Sequence, residues 1–92
     1  RRKSMTMLIG GSSFANMVIE TASPAADKTL SEINLRARSG ASVLSVERGE
    51  TVISHPGADF RIEAGDKLTL MGRPQDLALA KKVLAGEADI PA

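Results

Sequence analysis

The sequence predicts an α+β domain: a small, mainly antiparallel sheet with two helices, in the order strand, helix, strand, strand, short strand, strand, helix. Three observations carry this. Residues 29–40 and 74–86 each have the start and stop signals of a helix. The apolar runs around them are short and bounded by Gly, Pro and Asp, as strands are. The composition, 42% hydrophobic and 25% charged over 92 residues, is that of an ordinary small globular chain.

Residues 1–15 (RRKSMTMLIGGSSFA) begin basic, pass Met5, Met7, Leu8 and Ile9, and end in Gly and Ser. They read as the tail of an upstream helix and a linker from an upstream domain. Three positive charges are fewer than the roughly four to eight that mark a lipid-binding segment. A chain opening on Arg1-Arg2-Lys3 is expected to be a piece of a longer protein.

The folded domain is expected over residues 16–86. Asn16–Ala22 alternates as a strand, with Met17, Ile19 and Thr21 on one face and Val18 and Ala22 on the other. Ser23-Pro24 ends it, since proline cannot donate to a ladder. Thr29 followed by Glu32 is a capping box, each side chain reaching the other's backbone amide. Leu30, Ile33 and Ala37 recur on one helical face, and Gly40 supplies the left-handed end. Ala41–Arg48 is a strand through Val43, Leu44 and Val46, and Gly49 turns it into a second, Thr51–Ser54. His55–Asp59 reads as a turn and Phe60–Ile62 as a short strand. Ala64-Gly65-Asp66 turns into Lys67–Met71, with Leu68 and Leu70 facing one way and Thr69 and Met71 the other. Gly72 ends that strand. Pro74 suits the first position of the last helix, and Asp76 and Lys81-Lys82 match its dipole. Leu77, Ala80, Val83 and Leu84 form its apolar face, Gly86 ends it, and residues 87–92 read as a tail.

Adjacent apolar pairs, Val43-Leu44 and Val52-Ile53, predict a sheet that is apolar on both faces. Two helices cannot cover both, and a chain this short buries only about 60–65% of its unfolded surface. A second copy is expected on the uncovered face, making a homodimer.

Several function classes have no residues to support them. A net charge of +1, from 12 basic and 11 acidic residues, gives no field to draw nucleic acid or membrane. Two Phe without Tyr or Trp leave little for base stacking, so no nucleic-acid partner is expected. Cysteine is absent, and no apolar run reaches the roughly 18–20 residues of a membrane span. The one histidine, His55, has no nucleophile motif beside it, so no catalytic residue and no enzyme activity are expected. Asp59, Glu63 and Asp66 read as turn formers, and neither a metal nor a cofactor is expected. What remains is Asn34, Arg36 and Arg38 at the helix-to-strand junction, with His55 as a turn residue or a ligand contact. Guanidinium forks grip phosphate or carboxylate. On the residues alone, an anion site and a solvated helix end stand equally open.

The run SPAADKTLSEINLRARSGASVLSVERGETVISHPGADFRIEAGDKLTLMGRPQDL, Ser23 to Leu77, resembles the C-terminal subdomain of the regulators of potassium conductance, the TrkA-C family. The resemblance lies in Lys-Thr-Leu, the following E-I-N-L-R, a Gly and strand, a Pro-containing turn, and I-E-A-G-D-K-L-T-L-M-G. The stretch N-L-R-A-R-S-G-A-S-V is similar to copies attached to bacterial monovalent cation:proton antiporters. The resemblance implies a TrkA-C-like fold and a non-enzymatic, cytoplasmic module that dimerises and modulates an inner-membrane transport domain in the same or a partner chain. Some family members hold cyclic di-AMP at the dimer interface. By position, Leu30, Leu35, Arg36 and Val43 fit the apolar-plus-arginine wall of that pocket, and Asn34, Arg38, Ser42, His55 and Pro56 complete the expected ligand-binding set. Ser42 stands where asparagine is frequent, Ala58 where a second proline is, and Asn34 where aspartate is. The expected ligand is a small anion, cyclic di-AMP or another nucleotide; the alternative is a ligand-free dimerisation module.

Overall fold

The computed structural model describes residues 8–9 and 12–87. The elements are β1 (Leu8–Ile9), β2 (Ser12–Val18), α1 (Leu30–Ile33), α2 (Leu35–Ser39), β3 (Ser42–Arg48), β4 (Thr51–Ser54), β5 (Lys67–Gly72) and α3 (Pro74–Ala85). The strands form one sheet in the order β1-β2-β5-β3-β4, antiparallel at every pairing. The α+β architecture expected from the sequence is the one observed.

The core lies where α3 packs on β2 and β5. Ala15 pairs with Leu70, and Leu68 with Val46, and all four are buried. Leu77, Ala80, Val83 and Leu84 of α3 close over them, as their helical spacing predicts. Gly40 at φ 87° and Gly86 at φ 85° end α2 and α3 in left-handed geometry. Gly40 is needed for space as well: a Cβ there would sit 2.8 Å from Asp76 Oδ1. Asp76 is itself held by the Arg73 amide (3.0 Å) and guanidinium (2.9 Å).

Several expectations are corrected. The first long strand runs Ser12–Val18, not Asn16–Ala22, and Leu8–Ile9 pairs with it, so stretches expected as linker belong to the sheet. Residues 1–7, 10, 11 and 88–92 of the expected linker and tail lie outside the described residues. Past Val18 the chain leaves the ladder because Ile19 bonds the 63–66 turn instead, donating to Asp66 O (2.8 Å) and accepting from Gly65 N (2.7 Å). The expected short strand at Phe60–Ile62 is a single bridge, Arg61 to Thr29, since its neighbours bond residues 27–30 rather than the sheet. The helix after Thr29 is two helices. Asn34 between them is left-handed (φ 53°, ψ 44°), so Leu35 is buried and Ala37, expected on the apolar face, is exposed.

The sheet is not apolar on both faces. β3 changes register between Val43 and Ser45, so Leu44 is an extra residue with no partner on β5. Across from the core, Phe14 and Met71 share the face with Asn16 and Thr69, joined by a hydrogen bond of 3.0 Å, and with Lys67 and Glu47, 3.7 Å apart. Val18 and Val52 are 52% and 57% exposed.

The other fixed point is Arg48 at the end of β3. Its Nε and Nη2 each donate to the buried Asp66 carboxylate at 2.8 Å, and Nη2 also donates to Arg61 O at 2.9 Å. Glu63 lies 3.4 Å away, and the Phe60 ring centroid sits 5.0 Å from the guanidinium. One side chain thereby ties the hairpin to the 60–66 segment. Asp66 also accepts the Glu63 amide (2.9 Å). Burial alone would raise the Asp66 pKa, but the Arg48 hydrogen bonds, the Glu63 amide and the Arg48 charge outweigh it and hold the carboxyl below its ordinary value.

Candidate functional site

An open cleft of about 360 Å³ lies between the split helix, the start of β3 and the turn that follows β4. One wall begins at the capping box: Thr29 Oγ1 accepts the Glu32 amide (3.1 Å), and Glu32 Oε1 accepts the Thr29 amide (2.9 Å). The Thr29 amide holds the Glu32 carboxyl below its usual pKa, with smaller help from the Thr29 side chain and the charges of Arg61 and Lys28. The opposite wall, Pro56-Gly57-Ala58, is docked onto α1: the Ser31 amide donates to Ala58 O and the Leu30 amide to Phe60 O, both at 3.0 Å. The first amides of α1 are thus used by the protein itself and offer nothing to a ligand. At the floor, Ser39 Oγ donates to Leu35 O (2.7 Å) and accepts the Ala41 amide (3.0 Å), which fixes the passage from α2 into β3.

The lining is Leu30, Ser31, Asn34, Leu35, Arg36, Ala41, Ser42, Val43, Pro56, Gly57 and Ala58. Leu30, Asn34, Leu35, Arg36, Ser42, Val43 and Pro56, all expected from the sequence, are brought together here. Arg38 and His55 are not part of the lining. Arg38 is half-buried on another side of α2, and its Nε is buried without a hydrogen-bond partner. His55 is exposed and left-handed (φ 50°), its amide spent on Leu44 O at 2.8 Å. Ser31, Ala41 and Gly57 were not anticipated. Ser31 follows Leu30 and Ala41 precedes Ser42, so the only signal in the sequence was that each adjoins an expected residue.

Leu30, Leu35, Ala41, Val43, Pro56 and Ala58 make the walls mostly apolar, with Ser31, Asn34, Arg36 and Ser42 as the polar groups. Arg36 is exposed and takes part in none of the salt bridges among the described residues, where Arg48 and Arg73 are both paired. An unpaired guanidinium beside an apolar wall suits a planar anionic molecule. Among the described residues no cluster of His, Cys, Asp and Glu is arranged to hold a metal, and no helix is long and apolar enough to cross a membrane. A second depression of about 480 Å³, between Met17, Glu20, Ser23 and Ala85, has no cationic group.

The sequence profile of the TrkA-C domain matches residues 15–85. No curated protein matches the chain. Among solved structures, the fold is similar to that of the RCK_C domain dimer of S. agalactiae BusR in complex with c-di-AMP, at 23% identity and TM-score 0.73, covering 84% of this chain and 94% of that one. It is similar to the GsuK channel at 28% identity and TM-score 0.73, covering 91% of this chain but only 15% of the channel chain. It is also similar to the RCK C domain of the potassium transport protein KtrA in complex with c-di-AMP, at 24% identity and TM-score 0.62, covering 73% of this chain and 76% of that one. BusR has further been seen with its busAB-promotor DNA, where the match covers 40% of the BusR chain at 20% identity.

Proposed function

The chain belongs to the TrkA-C domain family, and from that premise we propose that it is a non-enzymatic regulatory domain of a potassium or monovalent cation:proton transport protein. It lies on the cytoplasmic side, dimerises, and takes a small anionic ligand in the cleft beside Arg36. The observation that carries this reading is the unpaired Arg36 guanidinium beside the mostly apolar walls of the cleft. Nucleotides bury most of their surface when bound, and an open cleft on one chain covers only one side of such a ligand. A second copy supplies the other wall, which makes binding and dimer geometry one equilibrium. A ligand shifts that equilibrium only by its difference in affinity for the two dimer geometries, and the shift passes to the transport domain.

Cyclic di-AMP is the first candidate, because two proteins of this fold hold it. The DNA seen with BusR is not carried over, since this chain has a net charge of only +1. The test is sedimentation equilibrium of the domain at tens of micromolar, followed by calorimetric titration with cyclic di-AMP, ATP and ADP. A dimer that binds one of the three is expected. A monomer contradicts the interface site, and a dimer that binds none leaves a ligand-free dimerisation module.

A further inference from the structure

Ile33 and Leu35 pose a problem that the cleft depends on. Residues two apart on a continuous helix lie about 200° apart and face opposite sides. Yet Ile33 is 1% exposed and Leu35 5% exposed. The residue between them supplies the change of phase. Asn34 adopts φ 53° and ψ 44°. The ladder of α1 closes on the Asn34 amide donating to Leu30 O (2.9 Å), and that of α2 opens on the Arg38 amide donating to Asn34 O (3.2 Å). With the phase reset, Leu35 goes inward and Arg36, the next residue, lines the cleft. Ala37, which an unbroken helix would place with Ile33, is exposed instead. The Asn34 side chain makes no capping hydrogen bond, so it does not itself hold this arrangement.

We propose that Asn34 is the positioning residue of the cleft: its left-handed backbone, not its side-chain amide, turns Arg36 toward the ligand while keeping Leu35 in the core. Asparagine is among the few residues other than glycine that adopt this region readily, which is why it stands at this position. The ligand half of the inference rests on the proposed anion site; the packing half stands without it.

Two variants separate backbone from side chain. Asn34→Gly removes the amide and keeps the left-handed conformation accessible, whereas Asn34→Val opposes that conformation through its branched Cβ. The first readout needs no ligand: methyl NMR with a soluble paramagnetic probe. Leu35 methyls stay shielded in the wild type and in Asn34→Gly, and become accessible in Asn34→Val. The second is calorimetric titration with cyclic di-AMP. Both variants lose the Asn34 amide that lines the cleft, so the backbone effect is read between them: Asn34→Val binds about tenfold more weakly than Asn34→Gly. An Asn34→Gly variant that stays folded but exposes its Leu35 methyls overturns the proposal. So does an Asn34→Val variant with Leu35 shielded and affinity equal to that of Asn34→Gly. If the wild type binds no cyclic di-AMP, that ligand fails, while Leu35 shielding in the two variants still decides whether Asn34 sets the phase. If Asn34→Val does not fold, Asn34→Gly alone decides, because retained Leu35 shielding supports the backbone role and its loss overturns it.

Discussion

Arg48 and Arg36 stand at opposite ends of one path, from the split helix through β3, and the fold treats them differently. Arg48 is saturated: the Asp66 carboxylate, the Arg61 carbonyl, Glu63 and the Phe60 ring surround its guanidinium. Arg36 has no carboxylate partner among the described residues and lines a cleft of mainly apolar walls. A charge paired by the protein's own carboxylates has its role explained by that pairing. A charge held at a fixed place and left unpaired is available to something else. The comparison therefore predicts that Arg48 governs stability and Arg36 governs binding, with little crossover.

The largest effect is expected from Arg48→Met, which leaves the Asp66 carboxylate buried without its partner. Breaking a buried pair costs about 3–5 kcal/mol; with the Arg48 side chain 36% exposed, about 2 kcal/mol is expected. That is a large part of the stability of a small domain. Chemical denaturation measures it, and a loss no larger than that of an ordinary surface substitution would break the comparison.

Acid sharpens the same contrast. Asp66 titrates below the ordinary carboxylate range in the folded chain, so its contribution is present above the unfolded value and is lost as pH falls through the depressed folded one. Asp76, held down first by its Arg73 hydrogen bonds, adds to stability in the same direction. Asp66→Asn is expected to be less stable at neutral pH and to show a shallower fall in stability with acid. Denaturation at stepped pH values reads both.

A smaller effect belongs to the cleft wall. Thr29→Ala removes the cap that starts α1 and is expected to cost about 1 kcal/mol, read from the thermal melt. The capping box has a second bond, Glu32 to the Thr29 amide, which survives the substitution and limits the loss.

How much of this could be read in advance follows from the range of each signal. The capping box, Pro74, the helix-ending Gly40 and Gly86, and the alternation of Leu68 and Leu70 act within a few residues, and each stands in the structure where the sequence places it. The helix break was harder to see, because one asparagine in a helical pattern is ordinary. The signal was the conflict between Ile33 and Leu35, two apolar residues that one helix face cannot hold together. Val43-Leu44 was the same kind of conflict in a strand, and the answer was a register shift rather than a doubly apolar sheet. The start of β2 was hidden because its first residues, Ser12 and Ser13, follow Gly10-Gly11 and carry no apolar alternation. Arg48–Asp66 joins residues 18 positions apart, beyond any local pattern. At the cleft, the family resemblance rather than spacing set Leu30, Leu35, Arg36 and Val43 together, and all four line it, whereas Arg38, two residues past Arg36, does not. His55 does not line it either; its backbone is left-handed and its amide donates to Leu44 O.

The central claim, that Arg36 is kept free for an anion, is tested most directly by comparing the wild type and Arg36→Ala in one calorimetric titration with cyclic di-AMP, with a thermal melt of each. A charge-assisted bond is worth about 1.5–3 kcal/mol, so affinity should fall by about one to two orders of magnitude while the melting temperature stays where it was. Binding by the wild type that Arg36→Ala retains unchanged would contradict the account and leave Arg36 a solvated charge at the end of a helix.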